Sequence, residues 1–229
     1  MKILWQDEAL LIVDKPAGLP TLPDGWNASA PYLKGLLEAQ VGRVWIIHRL
    51  DRETSGVIVL GRSAEAHREL NRQFEQRLVQ KVYHALVHGV PAWEEQSVNL
   101  PLRINVGRRH RTIVDAHTGK PAMTGLRILE TWENAGIVEA IPATGRTHQI
   151  RVHLAAIGHP ILGDALYGEA GGVGEQPAIS IAGLPIKRTA LHAMSITFTH
   201  PLSGERIQID AEYPKDFQDT IDFLRAHPI

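Results

Sequence analysis

Cysteine is absent from the 229 residues of this chain, and its absence excludes several kinds of chemistry. Without thiols there can be no disulfide, no thiolate nucleophile, no CxxC redox pair and no cysteine-based zinc site. Histidine is plentiful, with 12 residues, but no HExxH motif occurs. His148 and His153 are five positions apart, which suits a shared metal ion on one helix face poorly. We therefore expect no metal centre.

Long apolar runs are also missing. No segment approaches the roughly 18 apolar residues that a membrane-spanning helix needs. Acidic residues interrupt the opening MKILWQDEALLIVDK before a signal-peptide core could form. The glycine-rich run GEAGGVGEQP (168–177) lacks the Gly-Lys-Ser/Thr ending of a phosphate-binding P-loop, so we expect a surface loop there. These absences predict a cytoplasmic protein that makes no membrane contact and binds no nucleotide cofactor.

A strong net charge is missing too, since the formal charge is -1 at pH 7. The charge is unevenly distributed, however. Residues 43–81 contain eight lysines and arginines against five acidic residues, and residues 103–120 contain five against one. Residues 205–222 are acidic by contrast. A neutral average that conceals a basic face is compatible with RNA binding.

Three stretches of the sequence have the pattern of helices. The segment APYLKGLLEAQVG predicts a helix that ends at Gly42. Ser63 predicts the N-cap of a second helix that continues to about Leu78, with apolar residues four positions apart on one face. A third helix is predicted to begin after Thr147, as its N-cap, and to end at Gly158.

Strand signals dominate the rest of the chain. The opening LLIVDK, the segment VIVL and most segments after residue 80 are short, rich in β-branched residues and separated by turn residues. Runs of strands with inserted helices, rather than a strict alternation, favour an α+β fold. We expect a mixed, largely antiparallel central sheet flanked by helices and loops, within a single catalytic domain of residues 1–229.

The loop HRLDRETSG at residues 48–56 is the most informative segment. It places Asp51 between Arg49 and Arg52, and neighbouring cations favour the ionised carboxylate, which suits a nucleophile or a base. The alternative is a charged surface loop without a catalytic role, because such loops are common. A kinase catalytic loop is excluded, since it requires an asparagine five residues after the aspartate and Gly56 stands there.

The sequence resembles a known family. HRLDRETSG is similar to the signature of the RluA-type pseudouridine synthases, in which the aspartate is catalytic. Four further segments resemble motifs of the same family, in the same order along the chain: LLIVDKPAGLP (10–20), KVYHALVHG (81–89), GRTHQIRVHLAAIGHPILGDALYG (145–168) and LHAMSITFTHP (191–201). Several long motifs in register are more specific than one short pattern, and together they cover nearly the whole chain.

The resemblance implies an isomerase that converts uridine in RNA to pseudouridine. The N1–C1′ bond breaks, the uracil turns and C5 joins C1′, so no atom is gained or lost and no cofactor is needed. Asp51 would attack or stabilise C1′, or would remove the 2′ proton, and the sequence leaves both routes open. Tyr83 would lie against the target base, Arg151 would hold Asp51 ionised through a charge-assisted pair, and Leu191 would pack near the uracil.

The resemblance to the pseudouridine synthases implies that RNA is the partner of this protein. A uridine in folded RNA must be flipped out before a carboxylate can reach its ribose, and Arg49 is the candidate to occupy the gap. Arg108, Arg109 and Arg111, in the segment NVGRRHR, would grip phosphates. We expect a structured rRNA or tRNA stem-loop as substrate and a monomeric enzyme. Since the chain begins almost directly at the family's first strand, we expect a compact member without an N-terminal S4-type module.

Two other classes of function fit parts of the pattern. A catalytically silent RNA-binding or RNA-remodelling protein on the same fold is the main alternative, but a pure binder would not need Asp51, Tyr83 and Arg151 together. A glycosidase that releases the base would require a second carboxylate or an activated water molecule, and no motif clearly supplies one.

Overall fold

The structure, a computed structural model, describes residues 1–23, 27, 29–107, 111–168 and 183–227. Its strands are β1 (Lys2–Gln6), β2 (Leu10–Lys15), β3 (Trp45–Ile46), β4 (Ser55–Gly61), β5 (Gln80–His88), β6 (Glu95–Val98), β7 (Leu102–Val106), β8 (Arg111–Val114), β9 (Thr124–Trp132), β10 (Ala135–Pro142), β11 (Leu191–Thr199) and β12 (Arg206–Asp210). Its helices are α1 (Leu33–Val41), α2 (Ala64–Glu75), α3 (Gln149–Ala156) and α4 (Lys215–Ala226).

The chain divides into two compact units. The first comprises Met1–Lys81 and His192–Tyr213, and the second comprises Val82–Leu191 and Pro214–Ile229. Strand β5 therefore belongs to the second unit from Val82 onwards, and β11 belongs to the first unit from His192 onwards.

The first unit is built on strands in the order β1-β2-β4-β11, with β12 paired to β11 and β3 paired to β4. Neighbouring strands are antiparallel except β4 and β11, which run parallel. Every residue of β4 is buried, as expected for the continuous apolar run VIVL. The core of the first unit includes Val57 and Val59 of β4, against which α2 packs Ala66 and Leu70.

The second unit contains an antiparallel sheet in the order β5-β10-β9-β6. Strands β7 and β8 form a separate antiparallel hairpin. The acidic C-terminal helix α4, which the sequence analysis did not predict, buries Phe217, Ile221 and Leu224. The expectation of an α+β fold with a mixed, largely antiparallel sheet is confirmed. The glycine-rich run expected as a surface loop lies outside the described residues, apart from Gly168.

Two of the three helix predictions hold. Helix α1 ends immediately before Gly42, whose φ of 78° is in the left-handed region that favours glycine. Helix α2 has Ser63 as its N-cap, and the Ser63 hydroxyl accepts the Ala66 N–H at 3.1 Å. It ends at Glu75, three residues short of the predicted end, because Arg77 turns the backbone at a φ of 59°.

The prediction that Thr147 caps α3 was wrong. His148 is the N-cap, at a left-handed φ of 56° and without a side-chain capping bond. The main-chain carbonyl of Thr147 accepts a hydrogen bond from the Thr112 hydroxyl at 2.9 Å. The turn before the helix is held by Gln149, whose Oε1 accepts the Arg146 N–H at 3.0 Å.

Candidate active site

The loop that carries Asp51 is fixed through its backbone on both sides of the carboxylate. Before Asp51, the Thr21 hydroxyl donates to the Leu50 carbonyl at 2.9 Å, and the Thr21 hydroxyl oxygen accepts the Leu50 N–H at 3.3 Å. After it, the Arg52 carbonyl accepts the Gly18 N–H at 2.9 Å. Asp51 itself is half-buried, and its carbonyl accepts the Thr54 N–H at 3.1 Å. The backbone of the loop is therefore fixed on both sides of the carboxylate.

Lys15 supplies a further anchor for this loop. Its side chain is fully buried, although it carries a charge. The Nζ ammonium donates to the carbonyls of Pro16 at 2.9 Å, Leu19 at 2.8 Å and Arg52 at 3.1 Å. Buried charges persist in proteins only when such partners replace water. Lys15 thus ties the end of β2 and the turn after it to the residue that follows Asp51.

His48 fixes the beginning of the loop. Its Nε2 accepts the Val59 N–H at 3.1 Å, and its ring stacks on Phe74 with 5.0 Å between the ring centroids. Burial, with a smaller contribution from the positive charge of Lys81, lowers the pKa of His48 to about 3. Only a neutral imidazole has an unprotonated nitrogen that can accept an N–H. The hydrogen bond and the lowered pKa therefore describe the same neutral ring.

The end of the loop is held against β11. Gly56 has a φ of 108°, and a Cβ at this position would overlap the Ala193 carbonyl oxygen, so glycine is required there. The neighbouring Ser55 hydroxyl lies 2.9 Å from Nδ1 of His192, whose Nε2 lies 3.2 Å from the Ala211 carbonyl. Since a carbonyl only accepts, Nε2 carries the proton and the Ser55 hydroxyl donates to Nδ1.

The two arginines that flank Asp51 both have exposed side chains. The Nε of Arg52 donates to the Gly18 carbonyl at 3.1 Å and lies 3.9 Å from the Glu53 carboxylate. Arg52 therefore also helps to bind the loop to the turn after β2. Arg49 stands at the surface of the loop, where a planar guanidinium can stack on a base or contact a phosphate.

In the second unit, Arg151 is buried on α3 and is fixed through its own side chain. Its Nε donates to Oδ2 of Asp164 at 2.7 Å, and its Nη2 donates to Oδ1 at 2.8 Å. The two side chains are 8% and 0% exposed, so this is a charge-assisted pair in a dry environment. Asp164 Oδ1 also accepts the N–H groups of Leu166 and Tyr167. The Tyr167 ring covers one face of the guanidinium, with 5.1 Å between the ring centroid and Cζ.

The remaining predicted site residues occupy defined positions in the second unit. Tyr83 lies on β5 opposite Ala140 of β10 and is half-buried. Leu191 is the buried first residue of β11, and Arg111 is the half-buried first residue of β8. Arg108 and Arg109 lie outside the described residues.

The predicted residues are thus distributed over both units, with Asp51 and Arg49 in the first and the others in the second. Their convergence on one site stays a prediction. Three residues with structural roles at the site were not singled out from the sequence: Lys15, Asp164 and Tyr167. A signal existed for Lys15, because a charge at the end of the apolar strand LLIVDK requires buried partners.

His153, on α3, has a hydrogen-bonding role. Nδ1 of His153 lies 2.9 Å from the Thr124 hydroxyl, and its Nε2 lies 3.0 Å from the Leu100 carbonyl.

Among the described residues there is no group of three or more metal-binding side chains. In the same parts of the chain, no helix is both long enough and apolar enough to cross a membrane.

Residues 9–156 match the family described as RNA pseudouridylate synthase. Among curated relatives, the ribosomal large subunit pseudouridine synthase D of Zymomonas mobilis is 37% identical over 228 residues, covering 95% of this chain and 71% of that protein. The dual-specificity RNA pseudouridine synthase RluA of Salmonella typhi is 39% identical over 216 residues, covering 94% of this chain and 93% of that protein. The chain spans 61% of the length of a synthase D from Neisseria meningitidis.

Two solved human structures have a similar fold. RNA pseudouridylate synthase domain containing 4 superimposes with a TM-score of 0.77 at 26% identity, covering 97% of this chain and 92% of its own. RNA pseudouridylate synthase domain containing 1 gives a TM-score of 0.73 at 26% identity, covering 99% and 95%. The likeness to both extends over almost the entire chain.

Proposed function

The chain belongs to the RNA pseudouridylate synthase family, and we propose that it converts specific uridines of ribosomal RNA, transfer RNA or both into pseudouridine, with Asp51 as the catalytic carboxylate. The observation that carries the proposal is the fixation of the Asp51 loop by Thr21 and Lys15. A carboxylate that reacts at a ribose carbon must approach it to roughly 3–3.5 Å, and a loop held on both sides of the reacting residue supports that accuracy.

The reaction conserves every atom of the nucleotide. The bond between N1 and C1′ breaks, C5 of the turned uracil forms a bond to C1′, the C5 proton is released and N1 gains a proton. As the glycosidic bond breaks, C1′ becomes electron-poor, and an ionised Asp51 attacks or stabilises it; the other route begins with removal of the 2′ proton by Asp51. Both routes need a carboxylate, and neither consumes a redox cofactor or a phosphate donor.

Arg151 and Tyr83 complete the proposed catalytic group. Arg151 would keep Asp51 ionised through a charge-assisted pair, while its Nε and Nη2 bond to Asp164. Tyr83 would stack on the uracil, an interaction that typically stabilises a bound base by about 1–3 kcal/mol. Leu191 would pack against the edge of the same base.

The basic residues would select and open the RNA. Extruding a uridine from a folded RNA costs a few kcal/mol, and the exposed Arg49 would occupy the vacated position. Arg108, Arg109 and Arg111 would bind phosphates on either side of the target. With a net charge of -1, the protein would recognise one local RNA structure rather than attract RNA over long distances.

The proposed site draws on both compact units, so we propose that residues 1–229 act as one catalytic domain and that neither unit is active alone. We further propose that the protein works as a monomer, in the cytoplasm, where ribosomal and transfer RNA are found. Gel filtration of the active protein tests the monomer, and a single cooperative unfolding transition in urea tests the single domain.

Pseudouridine mapping tests the proposed function directly. Total RNA from cells with and without the protein is treated with carbodiimide and sequenced, and we expect one or a few uridines to lose the pseudouridine signal in the deletion. Wild-type protein should restore the signal, whereas Asp51→Asn should not. Identical maps in all strains would refute the proposal, and restoration by Asp51→Asn would refute the assignment of Asp51.

A further inference from the structure

Tyr167 contacts two parts of the second unit that the proposed function uses for different purposes. Its ring lies under the guanidinium of Arg151, at 5.1 Å between Cζ and the ring centroid. Its hydroxyl reaches in the other direction and accepts the backbone N–H of Thr112 at 2.9 Å. Thr112 is the second residue of β8 and directly follows Arg111, one of the proposed phosphate-binding arginines. One buried side chain therefore contacts both the catalytic arginine and the basic hairpin.

The hydroxyl of Tyr167 is fully engaged. Burial raises the pKa of Tyr167, so the phenol keeps its proton. The oxygen accepts from Thr112 and is hydrogen-bonded to Nδ1 of His148 at 2.9 Å. His148 is the N-cap of α3, one turn before Arg151. The same hydroxyl thus joins β8 to the start of the helix that carries Arg151.

The base of the hairpin is packed on this helix as well. The Thr112 hydroxyl donates to the Thr147 carbonyl at 2.9 Å, which is a second link between β8 and the segment before α3. Leu102 of β7, Val152 of α3 and the Tyr167 ring belong to one small apolar cluster. Packed interiors transmit small displacements because they have few voids. A movement of β8 on binding RNA would therefore act on the Tyr167 ring.

We propose that Tyr167 is a positioning residue that couples the β7–β8 hairpin to Arg151, so that the grip of the hairpin on RNA phosphates aligns the catalytic guanidinium. This inference rests on the proposed function, because it presupposes that Arg151 supports Asp51 and that the hairpin binds RNA. In this proposal the hydroxyl of Tyr167 links the ring to β8, and the ring of Tyr167 holds the Arg151 guanidinium in place. RNA that engages the hairpin would then be converted faster than RNA that merely occupies the site.

The substitution Tyr167→Phe separates these two roles, since it keeps the ring and removes only the hydroxyl. The matched control is Tyr32→Phe, at a half-buried tyrosine that precedes α1 in the first unit. The substrate is deproteinised ribosomal and transfer RNA from cells that lack the protein. Under single-turnover conditions with saturating enzyme, we expect Tyr167→Phe to lower the rate about tenfold while the RNA dissociation constant changes less than about twofold. Tyr32→Phe should match the wild type in both.

A double-mutant cycle with Arg111→Ala provides the second readout. If the hydroxyl transmits hairpin contacts to Arg151, Arg111→Ala should lower the saturated rate in the wild type and lower it much less in Tyr167→Phe. Additive losses would overturn the coupling, as would an unchanged rate in Tyr167→Phe. Should Tyr167→Phe fail to fold, Arg111→Ala alone keeps the inference testable: the saturated rate is expected to fall, and a loss confined to RNA affinity, with the saturated rate unchanged, would overturn the coupling. A wild-type protein that converts no uridine refutes the proposed function instead.

Discussion

The two units fix their charged residues in opposite ways. Asp51 is positioned through its backbone, because the carbonyls and N–H groups on either side of it bond to Thr21, Lys15 and Gly18. Arg151 is positioned through its own side chain, by a buried pair with Asp164 and by the Tyr167 ring. A loop that is held through its backbone keeps a carboxylate that must react in a fixed place. A guanidinium that only provides charge can be bonded to a structural partner as well.

This difference separates what each side chain contributes to catalysis from what it contributes to stability. Removing the Asp51 charge should affect the reaction and leave the fold intact, because backbone hydrogen bonds on both sides of Asp51 hold its loop. Removing the Asp164 charge should affect the fold first, because it leaves a buried guanidinium without its partner. Four substitutions test the contrast.

The largest effect is expected for Asp51→Asn. An amide of the same shape neither attacks C1′ nor accepts the 2′ proton, so we expect the rate to fall by more than about 10³-fold, as for other enzymes that lose their nucleophile. Tritium release from C5-labelled uridine in RNA measures the rate, and urea unfolding should show a midpoint near that of the wild type. Glu53→Gln, which neutralises another acid of the same loop, should retain activity. Equal losses in the two variants would mean that the loop needs its overall charge rather than Asp51.

Asp164→Asn should have the largest effect on stability. It leaves the Arg151 charge buried and incompletely paired, which typically lowers the free energy of unfolding by about 3–5 kcal/mol. The control is Glu130→Gln, which removes the charge from another forked pair, with Arg225 at 2.7 and 3.0 Å, whose two side chains are 37% and 51% exposed. Since solvent screens that pair, we expect a loss of about 1 kcal/mol or less. Urea unfolding of both variants gives the comparison, and similar losses would contradict the role assigned to burial.

Lys15→Met tests the backbone anchor of the Asp51 loop. Methionine fills much of the same volume but cannot donate to the carbonyls of Pro16, Leu19 and Arg52. Buried carbonyls that lose a charged donor should lower the free energy of unfolding by about 3 kcal/mol. The remaining folded protein should turn over more slowly, because the loop is less firmly held. Lys215→Met, at a lysine whose side chain is 87% exposed, should change neither quantity.

Part of this contrast could be predicted from the sequence. The strands were recognisable because β-branched runs bounded by turn residues are local signals, and the Ser63 cap was recognisable for the same reason. Asp51 was identified by the motif around it. Helix α4 was missed although Phe217, Ile221 and Leu224 recur at helical spacing, because Pro214 stands at its N-cap and no capping side chain marks its start.

The anchors themselves depend on contacts between distant parts of the chain. Lys15 bonds to a residue 37 positions away, and Arg151 pairs with a carboxylate 13 positions away across a turn. Periodicity and composition report which side chains are buried, but not which buried groups meet. The N-cap at His148 was missed because His148 has a left-handed backbone conformation and makes no side-chain capping bond, which no local pattern indicates.

The smallest effect is expected for His48, whose neutral ring anchors the loop without contributing charge. Its pKa is about 3 in the folded protein and about 6.5 in an unfolded chain. As the pH falls below about 6.5, the unfolded chain takes up a proton that the folded protein does not, so stability falls with a slope of about 1.4 kcal/mol per pH unit until the pH approaches 3. Above about pH 6.5 the group makes no pH-dependent contribution.

His48→Gln removes this titration but keeps an acceptor for the Val59 N–H. Between pH 7 and pH 5, the wild type should therefore lose about 2 kcal/mol more than His48→Gln in urea unfolding, since the other histidines titrate in both proteins and cancel. Parallel losses would show that His48 protonates while folded and that its bond to β4 is not what holds the loop. The comparison therefore shows whether His48 stays neutral, and keeps its hydrogen bond to Val59 of β4, between pH 7 and pH 5.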